Sequence, residues 1–118
     1  MTRRILCWGM LALSLISSAG CDRRAKANAR LTEKLRAQVV ERLKDPSSAQ
    51  FKSETLVKMS SSKDSPVSLC GEVNAKNGFG GYVGFSRFIS NDQGLVVFAK
   101  DEESFDTVWQ TWCSGRPA

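Results

Sequence analysis

Leu31, Leu35, Val39 and Leu43 recur every four residues, with Val40 beside them and charged residues between. That spacing puts one apolar stripe on a helix over residues 32–44. Asp45-Pro46 ends it, because a residue before proline is pushed out of the α region. Residues 49–59 then alternate. Phe51, Ser53, Thr55, Val57 and Met59 are expected on one side of a half-exposed strand, with Lys52, Glu54, Leu56 and Lys58 on the other. Residues 60–66 are serine-rich and form a loop. A second strand spans 67–75, with Val67, Leu69, Val73 and Ala75 facing one way and Cys70, Glu72 and Asn74 the other. Asn77-Gly78 supplies positive φ angles for a turn over 76–81, and a third strand returns over 82–89. Residues 91–94 make a second hairpin turn before a buried strand over 95–99. A helix over 101–113 aligns Phe105, Val108, Trp109 and Trp112, with Asp101, Glu102 and Glu103 at its positive N-terminal end. Residues 114–118 read as a loose tail.

Helix, four strands, helix, with short turns between the strands, is an α+β fold around an antiparallel meander. The first helix could cover either face of that sheet.

The N-terminus has a different pattern. Arg3 and Arg4 precede an apolar run over 5–16, and Ser17-Ser18-Ala19-Gly20 leads to Cys21. This is the layout of a signal peptide, and the run is shorter than the ~20 residues of a bilayer-spanning helix. Ala19-Gly20-Cys21 after the apolar run resembles a bacterial lipobox, departing from it at Ser18, where leucine is preferred. The resemblance implies that Cys21 is lipidated and begins the mature chain. The alternative is cleavage after Ala19, leaving a soluble secreted or periplasmic protein with a free thiol. Asp22 resembles an inner-membrane retention signal of enteric-type lipoproteins. The expected organisation is a signal peptide over 1–20, a lipid anchor and tether over 21–30, and one small α+β domain over 31–118. Its location is the cell membrane, facing the periplasm.

Four cysteines are present. Cys7 belongs to the signal segment and Cys21 to the anchor, so Cys70 and Cys113 remain to pair in an oxidising compartment. That bridge ties the second helix to the sheet face carrying Cys70.

The net charge of +5 is not uniform. Residues 22–44 carry eight basic residues against three acidic ones, and residues 45–118 carry seven against nine. A basic segment next to an anchor suits an anionic membrane surface, and equally a solvated helix face. An exported protein with its basic residues there is a poor nucleic-acid binder. Histidine is absent, which removes the commonest general base and metal ligand. Asp101-Glu102-Glu103 are adjacent and do not converge as a catalytic pair. Gly78-Phe79-Gly80-Gly81 lacks the lysine and hydroxyl ending of a phosphate loop. No enzymatic activity, cofactor or metal is expected.

Leu-Lys-Asp-Pro-Ser-Ser-Ala-Gln-Phe (43–51) is followed by Cys-Gly-Glu-Val-Asn-Ala-Lys-Asn-Gly-Phe-Gly-Gly-Tyr-Val-Gly-Phe-Ser-Arg-Phe-Ile (70–89). These motifs, with Trp112-Cys113, resemble a group of small exported bacterial proteins, many of them lipoproteins and some associated with phage or mobile elements. The resemblance spans about residues 36–113. It implies the fold unit and export, and carries over no catalytic residue.

Asn74, Lys76, Asn77 and Tyr82 cluster near the central turn and form the candidate binding surface. Gly71 and Gly84, both read as strand residues, would mark close approach of a ligand or make room for Trp109, Trp112 and the disulfide. The function expected is a binding module of the cell envelope, its partner an envelope protein or cell-wall polymer. The alternatives are a cell-wall enzyme inhibitor of the lysozyme-inhibitor kind, acting through the loop 60–66 or 76–81, and a mobile-element exclusion or lysis factor.

Overall fold

The computed structural model describes residues 11–118, with side chains from Asp22 onward. Arg3, Arg4 and Cys7 lie outside the described residues, as does the side chain of Cys21. The chain divides into two compact units between Leu31 and Thr32. Helix α1, Leu11–Val40, runs through the boundary. Residues 22–30, expected as a tether, are helical, because three alanines with Arg23, Arg24, Lys26 and Arg30 outweigh the weaker helix formers Asp22 and Asn28. Among the described residues, no helix is long and apolar enough to cross a membrane.

In the second unit α1 stops at Val40, four residues before the expected end. Arg42 N–H donates to the Val39 carbonyl and Leu43 N–H to the Val40 carbonyl, so the chain tightens as it leaves the helix. Asp45 then enters a short 3-10 turn, Pro46–Ser48.

Five strands follow in one antiparallel sheet: β1 (Gln50–Lys58), β2 (Val67–Asn74), β3 (Ser86–Asn91), β4 (Val96–Phe98) and β5 (Arg116–Pro117). Their order is β4-β3-β2-β1-β5. The expected meander of four is therefore present, and the tail adds a fifth strand. Val57 and Lys58 pair with Pro117 and Arg116. Helix α2, Phe105–Cys113, lies between β4 and β5 in sequence. It starts later than expected: Asp101, Glu102 and Glu103 precede it, and Phe105 N–H donates to the Glu102 carbonyl in the turn that leads in.

Directly paired residues of an antiparallel sheet share a face, so the register sorts the core. Leu56 pairs with Leu69, and Phe51 with Val73. Leu69 pairs in turn with Ser90, and Phe88 with Phe98. This face meets the C-terminal part of α1, where Leu35 and Val39 are fully buried. The Ser90 hydroxyl donates to the Leu35 carbonyl at 2.9 Å. Phe51 and Phe88 pack edge to face at 5.6 Å. The opposite face carries Thr55, Cys70 and Ile89 in register. A Cys70–Cys113 disulfide fixes α2 to that side. The Arg87 guanidinium lies over Phe105 and Trp109 at 5.0 and 5.2 Å and pairs with Asp106.

One irregularity overturns the simple alternation expected of β1. The register slips between Lys52 and Thr55, and Ser53 takes a left-handed φ of 54°. The result is a β-bulge, which changes the face of every residue after it. Phe51 and Leu56 thus point to α1, while Thr55 and Val57 point to α2. Glu54 is turned toward α1 as well. The space it needs comes from Gly71: a Cβ there would lie 3.0 Å from Glu54 Cγ and 3.2 Å from Glu54 Cα. Gly71 therefore makes room for the bulge, not for the tryptophans or the disulfide. Arg36 of α1 closes on Glu54 with two N–H donors, Nε to Oε2 at 2.6 Å, and on Glu33 at 2.8 Å. Its guanidinium also lies 5.5 Å from the Phe51 ring centre. The hydrogen bonds from Arg36 to Glu54 raise the arginine's pKa further above its ordinary value, against the opposing effect of burial.

Candidate binding surface

The chain between β2 and β3 is a loop and not the continuous hairpin expected. The third strand begins at Ser86, and Lys76 and Tyr82 meet in an isolated β-bridge. Two of its glycines explain the break. Gly80 and Gly84 have φ of 82° and 98°, a region in which a strand cannot continue and which glycine enters without steric cost. Gly84 is thus a loop residue.

The loop is held by its own polar groups. The Asn77 side-chain oxygen accepts from Phe79 N–H at 2.9 Å and Gly81 N–H at 3.2 Å. Asn77 N–H donates to the Gly81 carbonyl at 2.8 Å, and Gly80 N–H donates back to the Asn77 carbonyl at 3.1 Å. The Asn74 side-chain oxygen accepts from Gly84 N–H at 3.0 Å. At the base, the buried Ser48 hydroxyl accepts from Lys76 N–H at 2.8 Å and donates to the Asp45 carbonyl at 2.7 Å. The Asp-Pro-Ser-Ser turn thereby anchors the loop from a segment 28 residues upstream.

The four residues singled out from the sequence are brought together here, but their parts differ. Asn74 and Asn77 point their oxygens into the loop and shape it. Lys76 and Tyr82 are partly exposed and stack, with Nζ 5.5 Å from the ring centre. The side chains displayed most fully are apolar: Phe79 is 100% exposed, Val83 64%, Tyr82 47% and Phe85 40%. Lys52 covers Phe85, its Nζ 4.1 Å from the ring centre. Sequence reasoning assigned Val83 and Phe85 to a strand and Phe79 to a turn, and so passed over them. The signal was present in Gly78-Phe79-Gly80-Gly81, where an aromatic set among glycines has no neighbours with which to form a core.

A patch of this kind does no chemistry by itself. It offers aromatic area with cations at its edge, on a loop that is already ordered. The serine-rich loop, 60–66, folds on itself: Ser60 N–H donates to the Ser65 hydroxyl, and Ser65 is buried. The acidic run before α2 is structural, with the Glu102 carboxylate accepting from Ser104 N–H at 3.1 Å. Comparison of the chain with protein-family models, curated proteins and solved structures finds no match.

Proposed function

We propose that this is a lipid-anchored protein of the bacterial envelope, held at Cys21 and facing the periplasm, that acts by binding through the Lys76–Phe85 loop. Its partner is an envelope protein or a cell-wall polymer. The observation that carries the reading is the fully exposed Phe79 on a loop closed by Asn77 and tied to the body through Ser48. An ordered loop loses little conformational entropy on association, and aromatic residues are enriched in interfaces over the rest of the surface. The disulfide and the segregation of basic residues near the anchor are consistent with an exported, membrane-held protein.

A second reading, inhibition of a cell-wall enzyme, is favoured by the shape of the same loop, because a rigid tip ending in Phe79 is suited to entering a cleft. Inhibition of a purified cell-wall hydrolase that is lost in Phe79→Ser would select it.

The test of the main reading has two parts. Intact mass of the membrane-extracted protein should show a diacylglycerol-modified Cys21 at the N-terminus and a two-dalton gain on reduction. A chain beginning at Gly20 refutes the anchor. A photo-crosslinking amino acid at position 79 should give a discrete adduct in cells, whereas the same probe at exposed Thr107 should not. Equal labelling at both positions refutes the binding loop.

A further inference from the structure

Because α1 stops at Val40, one end of its sheet face is left to the turn that follows and to the loop. A pocket of about 380 Å³ opens there. Val73, Ala75 and Phe98 give it an apolar lining, and Val83 and Gly84 form part of the wall. Four cationic residues stand around it: Arg42 and Lys44 from the turn after α1, Lys76 from the loop, and Lys100 from the turn after β4. Asp101 is the one acidic residue in the lining.

This concentration runs against the charge of the body. Residues 45–118 are net acidic, yet Lys76 and Lys100 from that segment meet Arg42 and Lys44 from the basic one at this opening, four cations to one acid. Among the described residues none of the four forms an ion pair; the pairs are Arg36 with Glu33 and Glu54, and Arg87 with Asp106. Two are steered by aromatic rings instead. Lys76 Nζ lies 5.5 Å from the Tyr82 ring centre and Lys100 Nζ 5.7 Å from that of Phe98. Unpaired like charges around one opening repel one another and are relieved by an anion, most strongly where apolar walls exclude water. The volume is at the low end for small-molecule sites, which are mostly apolar with a few convergent polar groups.

We propose that this pocket binds a phosphate-headed amphiphile. The phosphate sits among Lys44, Lys76, Lys100 and Arg42, and the first carbons of its apolar part lie against Val73, Ala75 and Phe98. Phosphate suits the site because several separate cations can each approach one of its oxygens. The same chemistry is offered by the headgroup of an anionic phospholipid and by a soluble phosphate ester. The pocket shares Lys76, Val83 and Gly84 with the loop proposed to capture a partner, but Phe79 is not in its lining, so Phe79→Ser should abolish partner capture and spare hexyl phosphate binding.

The test uses the full chain, isotope-labelled in nonionic detergent micelles, with backbone amide shifts as the readout. Hexyl phosphate should produce saturable shifts at Lys76, Gly84 and Lys100. Inorganic phosphate should bind at least tenfold more weakly, and hexanol should not bind. The double variant Lys76→Glu/Lys100→Glu should weaken hexyl phosphate at least tenfold at unchanged melting temperature, and Arg42→Glu should do so to a smaller degree. Higher salt should weaken binding. Equal affinity for inorganic phosphate and hexyl phosphate would overturn the amphiphile assignment, as would binding that the charge variants leave unchanged. Nanodiscs then separate the sources. The same shifts with phosphatidylglycerol and not phosphatidylcholine identify the bilayer, and hexyl phosphate binding without them identifies a soluble ester.

Discussion

Replacing both Cys70 and Cys113 with alanine tests what holds α2 to the sheet. The bridge joins residues 43 apart in sequence, and Cys70 is buried at 4% exposure beneath the helix. Closing a loop of that length in the denatured chain stabilises the fold by about 4 kcal/mol in the chain-entropy model. For a domain of this size each kcal/mol moves the melting midpoint by about 4–8 °C, so the expected drop is roughly 15–30 °C. The opposing contribution is the packing of α2 itself, in which only Phe105 is fully buried and Val108, Trp109 and Trp112 are half-buried. A face so partly covered is expected to hold the helix weakly without the bridge. The assay is urea unfolding followed by circular dichroism, comparing the oxidised protein with the double variant. The urea midpoint should fall and the slope should rise, because an untethered denatured chain exposes more surface. A stability loss under about 1 kcal/mol with an unchanged slope would refute the reasoning. It would mean that the Arg87, Phe105 and Trp109 stack is sufficient to dock α2.

Two further substitutions probe the joints of the fold. Gly115→Ala should detach the last strand, since a Cβ there would stand 2.1 Å from the Lys58 carbonyl oxygen and 2.9 Å from its carbon. Fast amide exchange at Ala118, which donates to the Leu56 carbonyl, would register this, and unchanged exchange would count against it. Ser48→Ala removes both the acceptor for Lys76 N–H and a donor to Asp45. The expected loss is about 1–3 kcal/mol in chemical denaturation, with exchange accelerated at Phe79 and Gly81 as the loop loosens. An intact loop in that variant would show that Asn77 alone orders it.

Much of the architecture was legible because it rests on periodicity and on counting. The four-residue recurrence of Leu35 and Val39 marks the buried face of α1, and the alternation of β2 marks its two faces. Elimination among four cysteines, on the expectation of an export signal that takes Cys7 and Cys21, leaves one pairing, and that pair is bonded. The features that were not legible are those without a period. Phe51, Ser53, Thr55 and Val57 alternate perfectly in sequence. The bulge that separates Phe51 from Val57 comes from Ser53 entering a left-handed conformation opposite Gly71, a tertiary cause. β5 is two residues long and has no pattern of its own. The end of α1 at Val40 is set by how the chain must reach Ser48 and the base of the loop, while the sequence signal, Pro46, lies further on. At the candidate surface the polar residues drew attention because polar groups carry recognition in general. Here Asn74 and Asn77 serve the backbone, and the aromatics that they position are what solvent meets.

The bulge in β1 has a consequence for how copies of this protein behave when crowded. β1 would otherwise offer a long edge of unpaired backbone groups, the template on which a strand from a second molecule could add. Its far half is capped by Arg116 and Pro117, with proline contributing no amide of its own. Its near half is bent at Ser53 and carries exposed Lys52. The other margin of the sheet, β4, is only three residues long. Neither border presents a straight run on which strands could polymerise, which leaves copies of this protein free to accumulate at high local concentration without edge-to-edge assembly.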